Sequence, residues 1–255
     1  MPEAAHSRRF RVSTLFVIGA LMLVTACAQQ PAGGIQDPHE EQNRRVHAAN
    51  RDIDRVLLRP TANAYGGGLP QPVRQGVGNF ASNLGLPSKV VNNLLQLDIE
   101  GAFQNTFRFA FNSTIGLAGV LDPATEAGLT KVDTDFGETL YVWGVPEGNY
   151  VELPVLGPST ERHMVGRVVD LFTNPLSYAI DAPESYVVVG ANTLSRVGDR
   201  YDYSATVDSV LYESEDSYAQ ARSLYLQNRR FKLGAEVTEA EADEIDALFE
   251  DLYGE

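Results

Sequence analysis

Residues 109–121 read FAFNSTIGLAGVL, a run without a charge that ends at Asp122 and Pro123. As a helix this segment is too short to cross a bilayer, which takes about 20 residues. Gly116 and Gly119 weaken it further, by roughly 1 kcal/mol each relative to Ala in a helix interior. Its periodicity fits a buried helix that ends in a turn over 119–123. Length and composition leave open whether that burial is in protein or in one leaflet of a membrane.

The flanking sequence shares this character. A helix is predicted over 99–112, with Ala102, Phe103, Thr106, Phe107, Ala110 and Phe111 covering more than half its circumference and Phe109 outside that arc. A helix apolar nearly all round is either buried in protein or bathed in lipid. Arg108 is the lone charge in its second half, free to snorkel or to pair. Farther upstream, Asp37 and Pro38 offer an N-cap and a first-turn proline to a helix with Val46, Ala49, Ile53 and Leu57 on one face. Pro60 is expected to stop that helix near Arg59. Gly66, Gly67 and Gly68 then read as a loop, a helix covers 72–85, and Pro87 opens another carrying Val90, Val91, Leu94 and Leu95.

Downstream, 122–134 is polar and turn-rich, and Asp135 caps a short helix through Trp143. The segment 150–156, YVELPVL, is at most an edge strand because it contains Pro154. Gly157, Pro158, Ser159 and Thr160 make a turn and N-cap for a helix over 161–172. Two amphipathic helices are predicted over 185–214 and 216–230, the second running into Arg229, Arg230 and Lys232, charges that suit a helix C-terminus. The class is mainly α, a single domain with little or no sheet.

The first 26 residues have the layout of a secretory signal: Arg8, Arg9 and Arg11, an apolar core over 12–24, then small residues. Leu23, Val24, Thr25, Ala26 and Cys27 resemble the lipobox of bacterial lipoproteins, in which the thiol is diacylated and the leader is cut just before it. Cys27 is the only cysteine, so no intrachain disulfide forms. Two or three acyl chains make a stable anchor. Ala28 stands where inner-membrane lipoproteins carry Asp, which implies the outer membrane. Residues 27–36 then form the lipidated cysteine and a flexible tether, 37–233 the helical domain, and 234–255 an acidic tail with nine acidic and no basic residues. The net charge is −14, and loss of the leader, with its three Arg and one Glu, leaves −16. Such a surface repels nucleic acid.

Chemistry-bearing motifs are sparse. His6, His39, His47 and His163 lack the spacing of a metal site, and no nucleophile elbow, phosphate loop or dinucleotide fingerprint is present. Ser159 and His163, four apart at a helix start, read as a cap rather than as nucleophile and base. No enzyme, cofactor or metal is expected, and a lipid hydrolase lacks a credible nucleophile–base pair.

One resemblance organises the rest. Asn43, Arg44 and Asn50, then Arg59 and Pro60, Pro70 to Arg74 (PQPVR), Asn79, Phe80, Asn83 and Leu84 are similar to the opening of the VacJ family, also called MlaA. Arg108, Phe109, Asn112 to Gly116, Asp122 and Pro123, Asp135 to Gly137, Trp143, and Leu156 to Thr160 with Arg162 continue the match. The chain departs from it at His39, His47 and Ala49, where the family usually carries aromatics. The resemblance implies an outer-membrane lipoprotein on the periplasmic side, a helical ring lying in the inner leaflet with an amphipathic channel. It implies removal of mislocalised phospholipid from the outer leaflet, delivery to a soluble periplasmic carrier of an inner-membrane lipid transporter, and binding to a trimeric porin. Channel-lining candidates are Asn43, Asn50, Arg59, Asn79, Asn83, Asn92, Asn93 and Asn112; helix capping and inter-helix hydrogen bonding are the other roles open to these asparagines. Gly116 and Gly119 become hinge candidates in a helical hairpin beside the channel. A structural or adaptor lipoprotein that docks a porin or envelope partner without moving lipid is the alternative.

Overall fold

The computed structural model describes residues 35–234. The expectations for the leader, Cys27, the tether up to residue 34 and the tail from residue 235 lie outside the described residues.

Ile35 packs on the Tyr150–Tyr218–Leu226 cluster, and Gln36 O accepts from Tyr150 N at 2.7 Å. Helix α1 (Glu40–Ile53) follows with His39, not the expected Asp37, at its N-cap and no side-chain cap, while Asp37 accepts from Asn43 Nδ2 at 2.8 Å and from Arg222 at 2.9 Å. Contrary to the expected stop at Pro60, α1 passes through a π-helical turn (Asp54–Leu58) into α2 (Arg59–Gly68). A wide turn already leaves a carbonyl without an intrahelical donor, and so absorbs the N–H that proline lacks. The expected glycine loop is the last turn of α2. A Cβ on Gly66 would lie 2.1 Å from Tyr201 Cγ, so glycine here admits an aromatic ring against the helix.

Helix α3 (Gln71–Leu95) is unbroken, and Pro87, expected to separate two helices, lies inside it. Asn174 Nδ2 donates to Leu84 O at 3.2 Å, serving a carbonyl in the turn that Pro87 disturbs. A reversal at Leu97 (φ 60°) leads to α4 (Ile99–Thr114), capped by Asp98, whose carboxylate accepts from Gly101 N at 2.9 Å. The charge-free run is therefore helix only as far as Thr114; from Ile115 it is turn.

Short helices α5 (Pro123–Glu126) and α6 (Phe136–Val142) are capped by Asp122 and Asp135. Strands β1 (Tyr150–Leu153) and β2 (Gly157–Thr160) pair antiparallel, Tyr150 opposite Thr160 and Leu153 opposite Gly157. The expected turn at 157–160 is thus a strand whose last residue, Thr160, caps α7 (Glu161–Thr173). After α8 (Leu176–Ala179), the expected long helix is broken at Tyr203 into α9 (Glu184–Asp202), α10 (Ser204–Asp208) and a second π-helical turn (Ser209–Glu213). Arg200 bonds both Asp54 and Asp208, which turns the chain back toward the first π-helical turn. Helix α11 (Ser217–Lys232) is capped by Asp216.

The packing order closes on itself. Helix α2 packs on α9, α9 on α3, α3 on α6 and α7, α7 on β2, and β1 on α1, with α11 against β2 and the second π-helical turn. The architecture is mainly α, with one two-stranded sheet among the described residues.

Candidate functional site

The α3–α4 hairpin carries most of the asparagines singled out by sequence, and their carboxamides join it to its surroundings. Asn93 bridges Asp98 at 2.8 Å and receives Asn105 Nδ2 at 2.8 Å, while Asn105 holds the backbone of Val132 through both its carbonyl and its amide. Asn92 donates to Asp170 at 3.0 Å and accepts from Thr139. Each of these carboxamides satisfies polar backbone or side-chain groups that burial would otherwise leave unpaired. Asn112 donates to Asp122 at 2.7 Å and accepts from Ala124 N at 3.0 Å.

Arg108, the lone charge in the second half of α4, is buried and paired. Its fork reaches both Asp122 oxygens at 2.9 Å, Thr125 Oγ1 at 3.1 Å and the carbonyl of Leu129. Burial works to raise the Asp122 carboxyl, but hydrogen bonds from Thr125 and Asn112 and the Arg108 charge overcome it and hold its pKa below the usual range.

The hairpin tip is tightly built. Leu117 (φ 54°), Ala118 (φ 59°) and Gly119 (φ 95°) form three successive left-handed residues, a strained arrangement for the first two. A Cβ on Gly119 would sit 2.5 Å from Asn83 Cβ, and one on Gly116 would sit 2.5 Å from the carbonyl oxygens of Asn112 and Leu121. Asn83 donates to Ser113 Oγ at 3.0 Å and to Ala118 O at 3.4 Å, and Asn79 to Val120 O at 3.3 Å. The carboxamides of α3 thus tether a tip whose Ile115, Leu117 and Leu121 side chains are exposed.

Across the circuit, Asn43 donates to Tyr150 O and accepts from Glu152 N, and Asn50 donates to Leu153 O and accepts from Val155 N, so both pin the β-hairpin to α1. Arg59 meets Asp208 at 2.6 Å beside the Asp54–Arg200 pair. The structure therefore separates the candidates into two groups, one on the α3–α4 hairpin and one along α1 and α2. Sequence reasoning missed Asn105, Asp170 and the pairing of Asp122; the one available signal was Asp122 standing at the end of a charge-free run that contains no other carboxylate.

Ser159 Oγ does not bond His163, whose Nδ1 is 2.7 Å from Tyr225 OH; the Thr160 hydroxyl serves the helix start. Ser217 Oγ does lie 3.1 Å from His47 Nε2, with Glu152 3.5 Å from Nδ1. All three residues are buried, and Glu152 is occupied by Tyr150 and Asn50, so this chain of contacts has no opening for a substrate.

The distribution of polarity is inverted. Among the described residues, eleven buried side chains are hydrophobic and twenty are polar or charged, while thirty large hydrophobics are exposed. The exposed set includes Ile99, Phe103 and Phe107 along one face of α4, and Val165, Val168, Leu171 and Phe172 along α7. No helix among the described residues is long and apolar enough to cross a membrane.

The chain is similar to known proteins over most of its length. A chain from Escherichia coli (strain K12), named intermembrane phospholipid transport system lipoprotein MlaA, is 33% identical over 249 residues, covering 96% of this chain and 97% of its own. Its namesake from Haemophilus influenzae is 30% identical over 201 residues, 77% of this chain and 79% of its own. An uncharacterized protein of Rickettsia felis is 34% identical over 190 residues, 74% of each chain. A solved chain from work on the structural basis for maintenance of bacterial outer membrane lipid asymmetry superposes with a TM-score of 0.64 at 31% identity, over 77% of this chain and 98% of that one. The MlaA lipoprotein profile spans residues 35–232, the same stretch that closes the packing circuit, and the chain belongs to the MlaA lipoprotein family.

Proposed function

We propose that this chain is the outer-membrane lipoprotein of an intermembrane phospholipid transport system. Anchored through Cys27 on the periplasmic side, it lies in the inner leaflet, takes phospholipid mislocalised to the outer leaflet and passes it to a soluble periplasmic carrier, working beside a trimeric porin. The observation that carries this reading is the inverted polarity: thirty large exposed hydrophobics surround a polar, hydrogen-bonded interior. Helices satisfy their own backbone groups, so an apolar outer face meets acyl chains without hydrogen-bond loss. Two relatives named as phospholipid transport lipoproteins support it.

In this reading the buried carboxamides of Asn43, Asn83, Asn92, Asn93 and Asn112 hold a polar wall together, and the half-buried Asn50, Arg59 and Asn79 offer edges to a passing headgroup. The tip around Gly116 and Gly119 gates passage by leaving Asn79 and Asn83. A deletion strain complemented with this chain should regain low surface phospholipid and detergent resistance. Failure to restore either by a chain that is lipidated and still binds porin would favour a docking role without lipid movement. A disulfide between Asn79→Cys and Val120→Cys should block transport reversibly, and full transport in the oxidised form would rule out gating at the tip.

A further inference from the structure

The chain has only three lysines, Lys89, Lys131 and Lys232, and all three converge on one carboxylate. Lys89 Nζ bonds Asp133 Oδ1, Lys131 Nζ lies 3.8 Å from the same oxygen, and Lys232 Nζ lies 4.0 Å from Oδ2. They arrive from three separate places: the middle of α3, the loop after α5 and the end of α11. The two-point carboxylate pairs of the fold use arginine instead, as at Arg44–Asp216, Arg108–Asp122, Arg200–Asp54, Arg229–Asp135 and Arg230–Glu147. The planar fork of arginine suits such pairs, whereas a lysine ammonium is a mobile, strongly hydrated point charge.

Three cations on one anion leave a local surplus of positive charge in a chain whose net charge is −14. The nearest other carboxylate in sequence, Asp135, is engaged at both oxygens by Arg229, which leaves Asp133 as the anion that the three ammonium groups share. The cluster remains reachable, with Lys131, Lys232 and Asp133 side chains 38%, 55% and 54% exposed. Gln104 ties Thr130 to α4 at 2.7 Å, so Lys131 stands at the border of the face that carries Phe103 and Phe107.

We propose that Lys89, Lys131 and Lys232 form a station for the phosphate of a phospholipid headgroup, with the acyl chains lying along the exposed face of α4. The station rests on the transport reading above. Asp133 holds the three ammonium groups together while the station is empty and competes with the phosphate for them. Its removal therefore tightens binding, the reverse of what loss of a merely structural ion pair does.

The mature lipoprotein in nonionic detergent, reductively methylated with 13C-formaldehyde, carries a reporter on each lysine and keeps their charge. Doping with phosphatidylglycerol should move all three lysine signals together, whereas diacylglycerol with the same acyl chains should not, and inorganic phosphate should act only at much higher concentration. Lys131→Gln and Lys232→Gln should each weaken the response about fivefold, equivalent to ~1 kcal/mol per cation near an anionic headgroup, and Asp133→Asn should strengthen it by a similar factor. An equal response to diacylglycerol, an equal response to inorganic phosphate, or weaker binding by Asp133→Asn would each overturn the station. Transport in the complemented strain without lipid-dependent shifts sinks the station alone; shifts without transport sink the transport reading.

Discussion

Arg108 and Asp122 show how a single buried charge organises this chain. The arginine side chain is 6% exposed, and every group it meets lies between residues 122 and 129, so it clamps the segment after the hairpin onto α4. Asp122 is 26% exposed and keeps its bonds from Asn112 and Thr125, so losing the arginine costs about 1.5–3 kcal/mol, the worth of a hydrogen bond to a charged group. Arg108→Met should lower unfolding free energy by that order in denaturant titrations, and Arg108→Lys, which lacks the fork, should recover little of it. His163 makes a different prediction. Burial and the charges of Arg167 and Arg229 press its pKa from 6.5 to about 4, and Arg167 Nε donates to its Nε2, which keeps the ring neutral. Between those values the unfolded chain binds a proton that the folded chain refuses, so stability falls as pH drops from 6.5 toward 4. The carboxylates held low, Asp122 and Asp135 among them, act only below about pH 4, where their contribution is lost. His163→Asn should therefore flatten melting temperature against pH across the upper window and leave the acid limb in place. The lone charge at Arg108 was legible in the sequence as a group that must pair or snorkel. Its partner was not, because a carboxylate fourteen residues away announces nothing about the turn that returns it.

At the scale of elements, caps and reversals followed local chemistry, whereas helix continuity did not. Asp135 and Thr160 cap the helices expected of them, since a side-chain acceptor and the orphan N–H groups of a helix start are neighbours in sequence. Pro60 and Pro87 misled for the opposite reason. Pro60 follows a widened turn, and Pro87 lies inside an unbroken helix whose Leu84 carbonyl also takes a donor from Asn174, far along the chain. Gly66 similarly reads as loop until the ring of Tyr201 is seen against it. The hairpin tip is where backbone and side chain are most finely matched. Gly119→Ala meets both a positive φ and the Asn83 side chain, so it should displace the tip from α3. Amide hydrogen exchange over 113–121 should accelerate, with the rest of α4 unchanged; unaltered protection would show that the tip does not depend on this contact.

On the scale of the whole molecule, the exposed face of α4 tests whether apolar surface meets lipid. Phe103 and Phe107 are each 60% exposed and stack on one another. Burying such a side chain is worth about 1.5–3 kcal/mol. In a full-length chain carrying Cys27→Ser, the Phe103→Asp, Phe107→Asp double variant should lower vesicle flotation roughly 100-fold while circular dichroism stays constant. The closed packing circuit also governs the order in which the molecule is made. The first helix is fastened by partners 107 residues ahead at Tyr150, 172 ahead at Asp216 and 185 ahead from Asp37 at Arg222. Contacts of such separation form late, because the loop they close must be paid for in chain entropy first. Among the described residues, the helix synthesised first is thus the last to be fastened, its side chains waiting for β1 and then for α11 to be made.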